Sequence, residues 1–281
     1  GSDMPNALKI GSRITRTRAN GGITTGAMAV LLCHQASTDT AITDISGGVL
    51  GSTAAGAGFV PATHFAGTDG VITPDASGST DYAQRLPTTA FTYDFNSGDT
   101  LLLAGRMKLT AGYPSGSSKP ILAQGGNNTV AQGFRLICNA TTGTLAIAWD
   151  GPSSTVFGAS TDVAPPSSGW FHYMLAFWGH NVAGATATYG IWINGSRAYT
   201  TFPKSASSLP ASMNPTEALR IGAYHRTTGP VDSSIGATHA SIHLYRAPVA
   251  VAQTTAKMDA LARRLWRAPE TPLSLAEWPM T

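Results

Sequence analysis

Apolar positions in this chain recur mainly with a period of two. Tyr189, Ile191 and Ile193 alternate with Gly190 and Trp192, as side chains do on opposite faces of a strand. Asn194-Gly195 follows, and then a second run, Arg197 to Phe202. Asn-Gly takes the positive φ angles of a tight turn, so Tyr189–Phe202 is predicted to be a β-hairpin with Asn194 and Gly195 as turn formers. Tyr189, Ile191 and Ile193 make the more apolar face. Trp192 lies on the other face, or between two sheets if the facing is reversed, and core packing is its simpler reading over that of a binding platform.

The same pattern appears along most of the chain. AMAVLLC (27–33) has the continuous apolar character of a strand buried on both faces. THFAGTDGVITP (63–74) reads as two short strands about a Gly-rich turn, and TTAFTYDF (88–95) alternates Phe91, Tyr93 and Phe95. Strands are predicted over 99–110, 120–126, 132–139, 144–151, 169–180, 217–224 and 237–247. Short strands punctuated by Gly, Asn and Pro indicate an antiparallel sandwich or jelly roll. One helix is predicted over 252–266, where Met258, Leu261, Ala262 and Leu265 have helical spacing and Pro269 and Pro272 follow. Three parts result: a polar basic arm (1–20), one β domain (21–267) and a Pro-rich tail (268–281).

Composition adds a neutral, hydroxyl-rich surface to this picture. Charged residues are 12% against 42% hydrophobic, and Gly and Pro together number 48 (31 and 17) in 281 residues. That charged share is about half the usual one, so the chain is not a disordered polyelectrolyte. The net charge of +3 concentrates at the ends: Lys9, Arg13, Arg16 and Arg18, then Lys257, Arg263, Arg264 and Arg267. A nucleic-acid binder would set its cations along one stripe with interleaved aromatics, and that pattern is absent. No apolar run reaches the roughly 18 residues of a membrane span. GAMAVLLC starts too late and is too short for a signal peptide, so standard secretion is not expected.

Cys33 and Cys138 sit in apolar runs and suit small buried hydrophobes; whether they pair is left open. No Cys/His cluster of zinc-site spacing occurs. His239 and His243 are predicted on one face of one strand, roughly 13 Å apart, too far to share a zinc ion. They are read as polar surface or ligand-contacting residues.

The second half of the chain resembles the laminin-G-like, concanavalin-A-like jelly-roll family. The resemblance rests on Trp170-Phe171-His172, Trp192-Ile193-Asn194-Gly195, Leu219-Arg220-Ile221-Gly222 and Gly236 through Tyr245, followed by the helix. It covers roughly residues 30–267. The fold it implies is an all-β, concanavalin-A-like antiparallel sandwich with one short C-terminal helix, and His172 takes a structural role. Some members hold calcium through acidic residues in the last strand; here that stretch is Ala237-Thr238-His239-Ala240, which puts such a site in doubt. Asp150, Asp162 and Asp232 are the loop carboxylates left to serve calcium. No other cofactor is implied. Proteins of this look resemble virion-associated proteins of tailed bacteriophages. This implies a decorating or adhesion protein, homo-oligomeric, placed on the particle and partnered by other virion proteins or a surface polysaccharide, with neither nucleic acid nor membrane as partner.

Catalysis finds little support. Glycoside hydrolysis takes two carboxylates flanking one bond. The glutamates are Glu217, Glu270 and Glu277, and none has an acidic partner at i+2 or i+3. Nucleophile-elbow and phosphate-binding glycine patterns are missing, so no catalytic residue is assigned. Candidate ligand contacts are aromatics beside polar groups at strand ends: Trp149-Asp150, Trp178 with His180 and Asn181, and Tyr224-His225-Arg226. Candidate partner-docking residues are Arg13, Arg16 and Arg18 in the arm and Leu273, Leu275 and Trp278 in the tail. That tail is too short to fold alone, and its removal is expected to leave the domain folded.

Overall fold

The computed structural model describes residues 27–32, 43–44, 59–60, 71–72, 83–85, 99–109, 119–124, 133–139, 141–150, 155–181, 186–206, 219–221, 223–226, 229–232, 237–247, 253–269, 271–274 and 276–278. In chain order these form β1 (Ala27–Leu32), β2 (Thr43–Asp44), β3 (Phe59–Val60), β4 (Val71–Ile72), β5 (Ala83–Arg85) and β6 (Thr100–Leu109). Next come β7 (Lys119–Gln124), β8 (Gly133–Cys138), β9 (Leu145–Asp150), β10 (Thr155–Ser160), β11 (Phe171–Asn181) and β12 (Thr186–Ile193). The rest are β13 (Ser196–Arg197), β14 (Lys204–Ala206), β15 (Leu219–Ile221), β16 (Ala223–Arg226), β17 (Gly229–Asp232), β18 (Ala237–Ala247) and the helix α1 (Thr255–Arg267).

Two antiparallel sheets result. The larger, ten-stranded sheet runs β13-β12-β11-β6-β18-β1-β2, with β14 beside β12 and β4 linking β3 to β18. The six-stranded sheet runs β10-β9-β8-β7-β15-β5, and β16 and β17 form a separate ribbon. This is the all-β sandwich with one C-terminal helix that the alternation predicts.

The larger sheet is buried on both faces. Leu101, Leu103 and Met107 of β6, Leu175 of β11, Ile191 and Ile193 of β12, and Ile242 and Leu244 of β18 meet Leu122, Phe134, Leu136 and Ile147 of the smaller sheet. On the opposite face Leu102, Ala104, Met174, Ala176, Trp178, Trp192 and Tyr245 pack with Met258, Leu261, Ala262 and Leu265 of α1 and with Leu273 and Trp278 after it. The unbroken apolar run Leu101–Ala104 follows: alternate side chains feed alternate cores. Each large side chain so buried contributes about 1.5–3 kcal/mol. Trp192 therefore lies on the face away from the sandwich core, as the facing of Tyr189, Ile191 and Ile193 requires, but under a cover of helix and tail.

The structure departs from the sequence reading in places. The second hairpin arm is short: β13 covers Ser196–Arg197, and the chain pairs again only at β14. The run 217–224 divides at Gly222 into β15 of the smaller sheet and β16 of the ribbon. Strands β10, β14 and β17 carry too few large apolar residues for periodicity to show them, and backbone pairing defines them.

His239 and His243 do not share a face. The register with β6 shifts between His239 and Ser241, a bulge that inverts the alternation. His239 therefore keeps the phase of Ala237, which faces the sandwich core, and His243 shares the face of Tyr245. Both are fully buried rather than surface residues. Leu273 and Trp278 likewise are not free for a neighbour; both are buried inside this chain. Cys138 is a buried free thiol that donates to the Gly143 carbonyl at 3.4 Å. Of the two strands expected over 63–74, β4 at Val71–Ile72 is described; the rest of that run, the arm with Arg13, Arg16 and Arg18, the expected strand over 88–95, Cys33 and Leu275 lie outside the described residues.

Candidate binding site

The site is built where α1 meets the β12–β13 turn. Thr254 caps the helix, its hydroxyl accepting from the Lys257 amide at 3.2 Å. The buried stripe Met258, Leu261, Ala262 and Leu265 lays the helix on the outer face of the larger sheet. Arg264 and Arg267 in its last turn complement the negative end of the helix dipole.

Asp259 ties this helix to the hairpin. Its Oδ1 accepts from Trp192 Nε1 at 2.8 Å and from Arg197 Nε at 3.0 Å, and its Oδ2 from the Arg197 guanidinium at 2.5 Å. The Arg197 hydrogen bonds foremost, with that from Trp192 and against the opposing effect of burial, hold the Asp259 carboxyl below the usual carboxylate range.

One turn later the helix straddles the hairpin tip. Asn194 has φ of 52° and Gly195 φ of 74°, the left-handed pair of the Asn-Gly turn. A Cβ on Gly195 would lie 2.9 Å from Cε3 of Trp266 and 3.3 Å from Cα of Arg263. Trp266 itself stays 47% exposed. Asn194 fastens the turn to β11: its amide donates to the His172 carbonyl at 2.8 Å, and its Oδ1 accepts from the His172 amide at 2.9 Å.

Trp170, just before β11, is at the same end of the sheet. Arg106 and Lys108 of β6 stand 5.7 and 5.5 Å from its ring centroid, within cation–π range. Beyond α1 the chain crosses the sheet from the Gly195 turn on β12 to β18. There the Pro269 carbonyl accepts from Ser241 Oγ at 2.9 Å and from His243 Nε2 at 2.5 Å. A relay fixes this crossing: the Leu273 amide donates to Tyr245 Oη at 2.8 Å, and Tyr245 Oη donates to His243 Nδ1 at 3.1 Å, which assigns the His243 proton to Nε2. Trp170 with Arg106 and Lys108, and Trp266 with Arg263 and Arg267, thus lie toward the same end of the larger sheet, a rim of two indoles and their neighbouring cations.

The sequence-derived candidates are not brought into this rim. Trp178 is buried in the outer core, 6.0 Å from Trp192 between ring centroids, and offers no face to a ligand. His180 and Asn181 end β11, where the register with β12 shifts. Trp149 and Asp150 end β9 on the smaller sheet, paired to Phe134 and Gly133 of β8. Tyr224, His225 and Arg226 belong to the β16–β17 ribbon, paired to Val231, Pro230 and Gly229. Trp266 and Trp170 were absent from the candidates. Trp266 had a readable signal: it falls off the helix's buried stripe, between Arg263 and Arg267. Trp170 has no such signal: its Trp-x-His pattern is that of a strand start.

The carboxylates with described side chains are dispersed, each held by its own donors. Asp99 accepts from Arg246 Nε at 2.7 Å, at the other end of β6. Asp162 accepts from the Thr200 amide and hydroxyl, both at 2.8 Å. Glu277 accepts from Arg264 Nε at 2.8 Å and from Ser274. Donors to Asp162 and Glu277 hold both below the usual range, as at Asp259. A glycosidase acid is tuned the opposite way. Among the described residues no group of three or more His, Cys, Asp or Glu is placed to hold a metal ion, and no helix is long and apolar enough to cross a membrane.

No protein-family model matches the chain, and no curated protein matches it in sequence. Its fold is similar to solved structures at low identity. Botulinum neurotoxin type C, whose cell entry depends on interaction with two ganglioside molecules, matches with a TM-score of 0.54 and 13% identity over 84% of this chain and 50% of that chain. The binding domain of Paraclostridial Mosquitocidal Protein 1 gives 0.55 and 11% over 88% of this chain and 52% of that one. Trypanosoma rangeli sialidase, in complex with sialic acid, gives 0.54 and 13% over 94% of this chain and 39% of that one. The chain thus spans about half the length of these proteins or less, and what the likeness establishes is a β-sandwich fold of the kind that such binding domains have.

Proposed function

We propose that the chain is a non-enzymatic glycan-binding module. The observation that carries this reading is Trp266, a nearly half-exposed indole seated rigidly on the Asn194-Gly195 turn. A pyranose has apolar C–H faces ringed by hydroxyls, and an aromatic face beside hydrogen-bonding side chains complements both. Neighbouring folds that meet gangliosides and sialic acid support the reading. So do the carboxylates with described side chains, Asp99, Asp162, Asp259 and Glu277, each held by donors of its own rather than paired across a groove.

The resemblance to phage proteins extends the proposal: the module serves as an adhesion protein of a virion, attaching the particle to a surface polysaccharide. Immunogold labelling of purified particles tests that placement. A glycan array of wild-type protein against Trp266→Ala tests the binding. Retained binding in the variant moves the site to Trp149 or Tyr224; no glycan bound at millimolar concentration refutes the reading.

A further inference from the structure

We infer that the rim selects acidic glycans, sugars bearing a carboxylate or sulfate, and that Lys108 and Arg267 with Arg106 and Arg263 recognise the acid. The inference rests on the glycan-binding reading and adds the ligand class.

Two arrangements of charge carry it. Arg106 and Lys108 alternate along β6, so both lie on the outer face, about 7 Å apart. Both approach the Trp170 ring, which braces them at the end of the sheet. Arg263 and Arg267 stand one turn apart on α1, both exposed, with Trp266 between them in sequence. The crossing from Trp266 to Pro269 passes over β11 and β6 and so carries this second pair toward the first.

The carboxylates with described side chains have hydrogen-bond partners outside these four cations. Asp99, Asp162 and Glu277 are engaged with Arg246, Thr200 and Arg264. Asp259, one turn before Arg263 on α1, is bonded to Trp192 and Arg197. Four cations around two indoles match the chemistry of an acidic sugar: ring faces for the C–H surface, guanidinium and ammonium for the acid. A nucleic acid would ask instead for cations extended along a groove at phosphate spacing.

The test is titration calorimetry of the full chain with oligosaccharides carrying sialic acid, uronic acid or sulfate, each against its neutral counterpart, at low and high salt. One acidic series is expected to bind at least about ten-fold tighter than its neutral counterpart, with the advantage shrinking as salt rises. Its identity separates carboxylate from sulfate recognition. Lys108→Ala with Arg267→Ala should erase the advantage while unfolding temperature stays put, and Lys108→Arg should keep it. Equal affinity for acidic and neutral sugars overturns the inference and leaves the glycan-binding reading standing; no glycan bound at all removes both. Tighter binding of single-stranded DNA than of any sugar also overturns it.

Discussion

Gly195 lies directly beneath Trp266, so close that a methyl group on Gly195 would press into the indole 2.9 Å away. Two independent demands meet at this residue: a φ of 74° and room for the helix. Gly195→Ala is expected to cost about 1–3 kcal/mol, from the left-handed backbone together with the clash. Trp266→Ala in the same chain should relieve part of it. Urea titration of the two single variants and the double variant measures the coupling; simple additivity would show that helix and turn do not touch.

That contact also marks the limit of what was legible in the sequence. The turn was readable because Asn-Gly is a local signal. So were the strands flanking it, the helix stripe and the outward facing of Trp192. What covers Trp192 was not readable, because Asp259 is 67 positions away and nothing local announces its bond to the indole. The tail was misread for a related reason. Leu273 and Trp278 are too few to make a core, but they complete one whose other members lie on β18 and α1. The bulge before Ser241 was invisible, since a single inserted residue leaves the composition of the strand unchanged while reversing every face beyond it. The rim was half legible: Trp266 breaks the helix stripe, but the approach of Arg106 and Lys108 to Trp170 depends on sheet order.

Asp259 holds Trp192 in place, and its removal has a defined consequence. Asp259→Ala leaves the buried Trp192 Nε1 without its acceptor, at a cost of about 1–3 kcal/mol. Trp192→Phe in the Asp259→Ala background removes the stranded donor and is expected to cost less than the sum of the two single changes. Thermal unfolding of the four proteins in this cycle reads the difference, and a sum that is simply additive removes the bond from the account.

Deleting residues 268–281 is expected to destabilise the domain, contrary to what a separable tail would do. The deletion uncovers Tyr245 and removes Leu273, Trp278 and the Pro269 carbonyl that satisfies Ser241 and His243. Trp278→Ala alone should cost about 3–5 kcal/mol, since it opens a cavity and frees the Arg246 carbonyl that its Nε1 reaches at 2.9 Å. Proton exchange on β18 amides is the direct readout. Unchanged protection after deletion would mean that the tail does not pack where the structure puts it.

Stability should also fall in mild acid, well above the range where carboxylates titrate. His172 and His239 are buried, and neither ring makes a hydrogen bond through either nitrogen. Burial is the main cause that drives both down to a pKa of about 3; for His172 the charges of His243 and Arg106 add to it. The unfolded chain takes up these protons as the pH drops below about 6.5, while the folded chain refuses them until about 3. The stabilising contribution is therefore complete above pH 6.5 and drains away toward pH 3, at about 2 kcal/mol for each histidine by pH 5. Asp162, Asp259 and Glu277, whose carboxyls are held low, lose their contributions only at lower pH, so among the described residues with a shifted pKa the window from 6.5 to 5 is set by His172 and His239. Urea midpoints at pH 7.5, 6 and 5 should decline steadily, and His239→Gln should flatten the decline by about half. A midpoint that holds constant across those three conditions would place the histidines in contact with water or a partner, and the buried positions described here would be wrong.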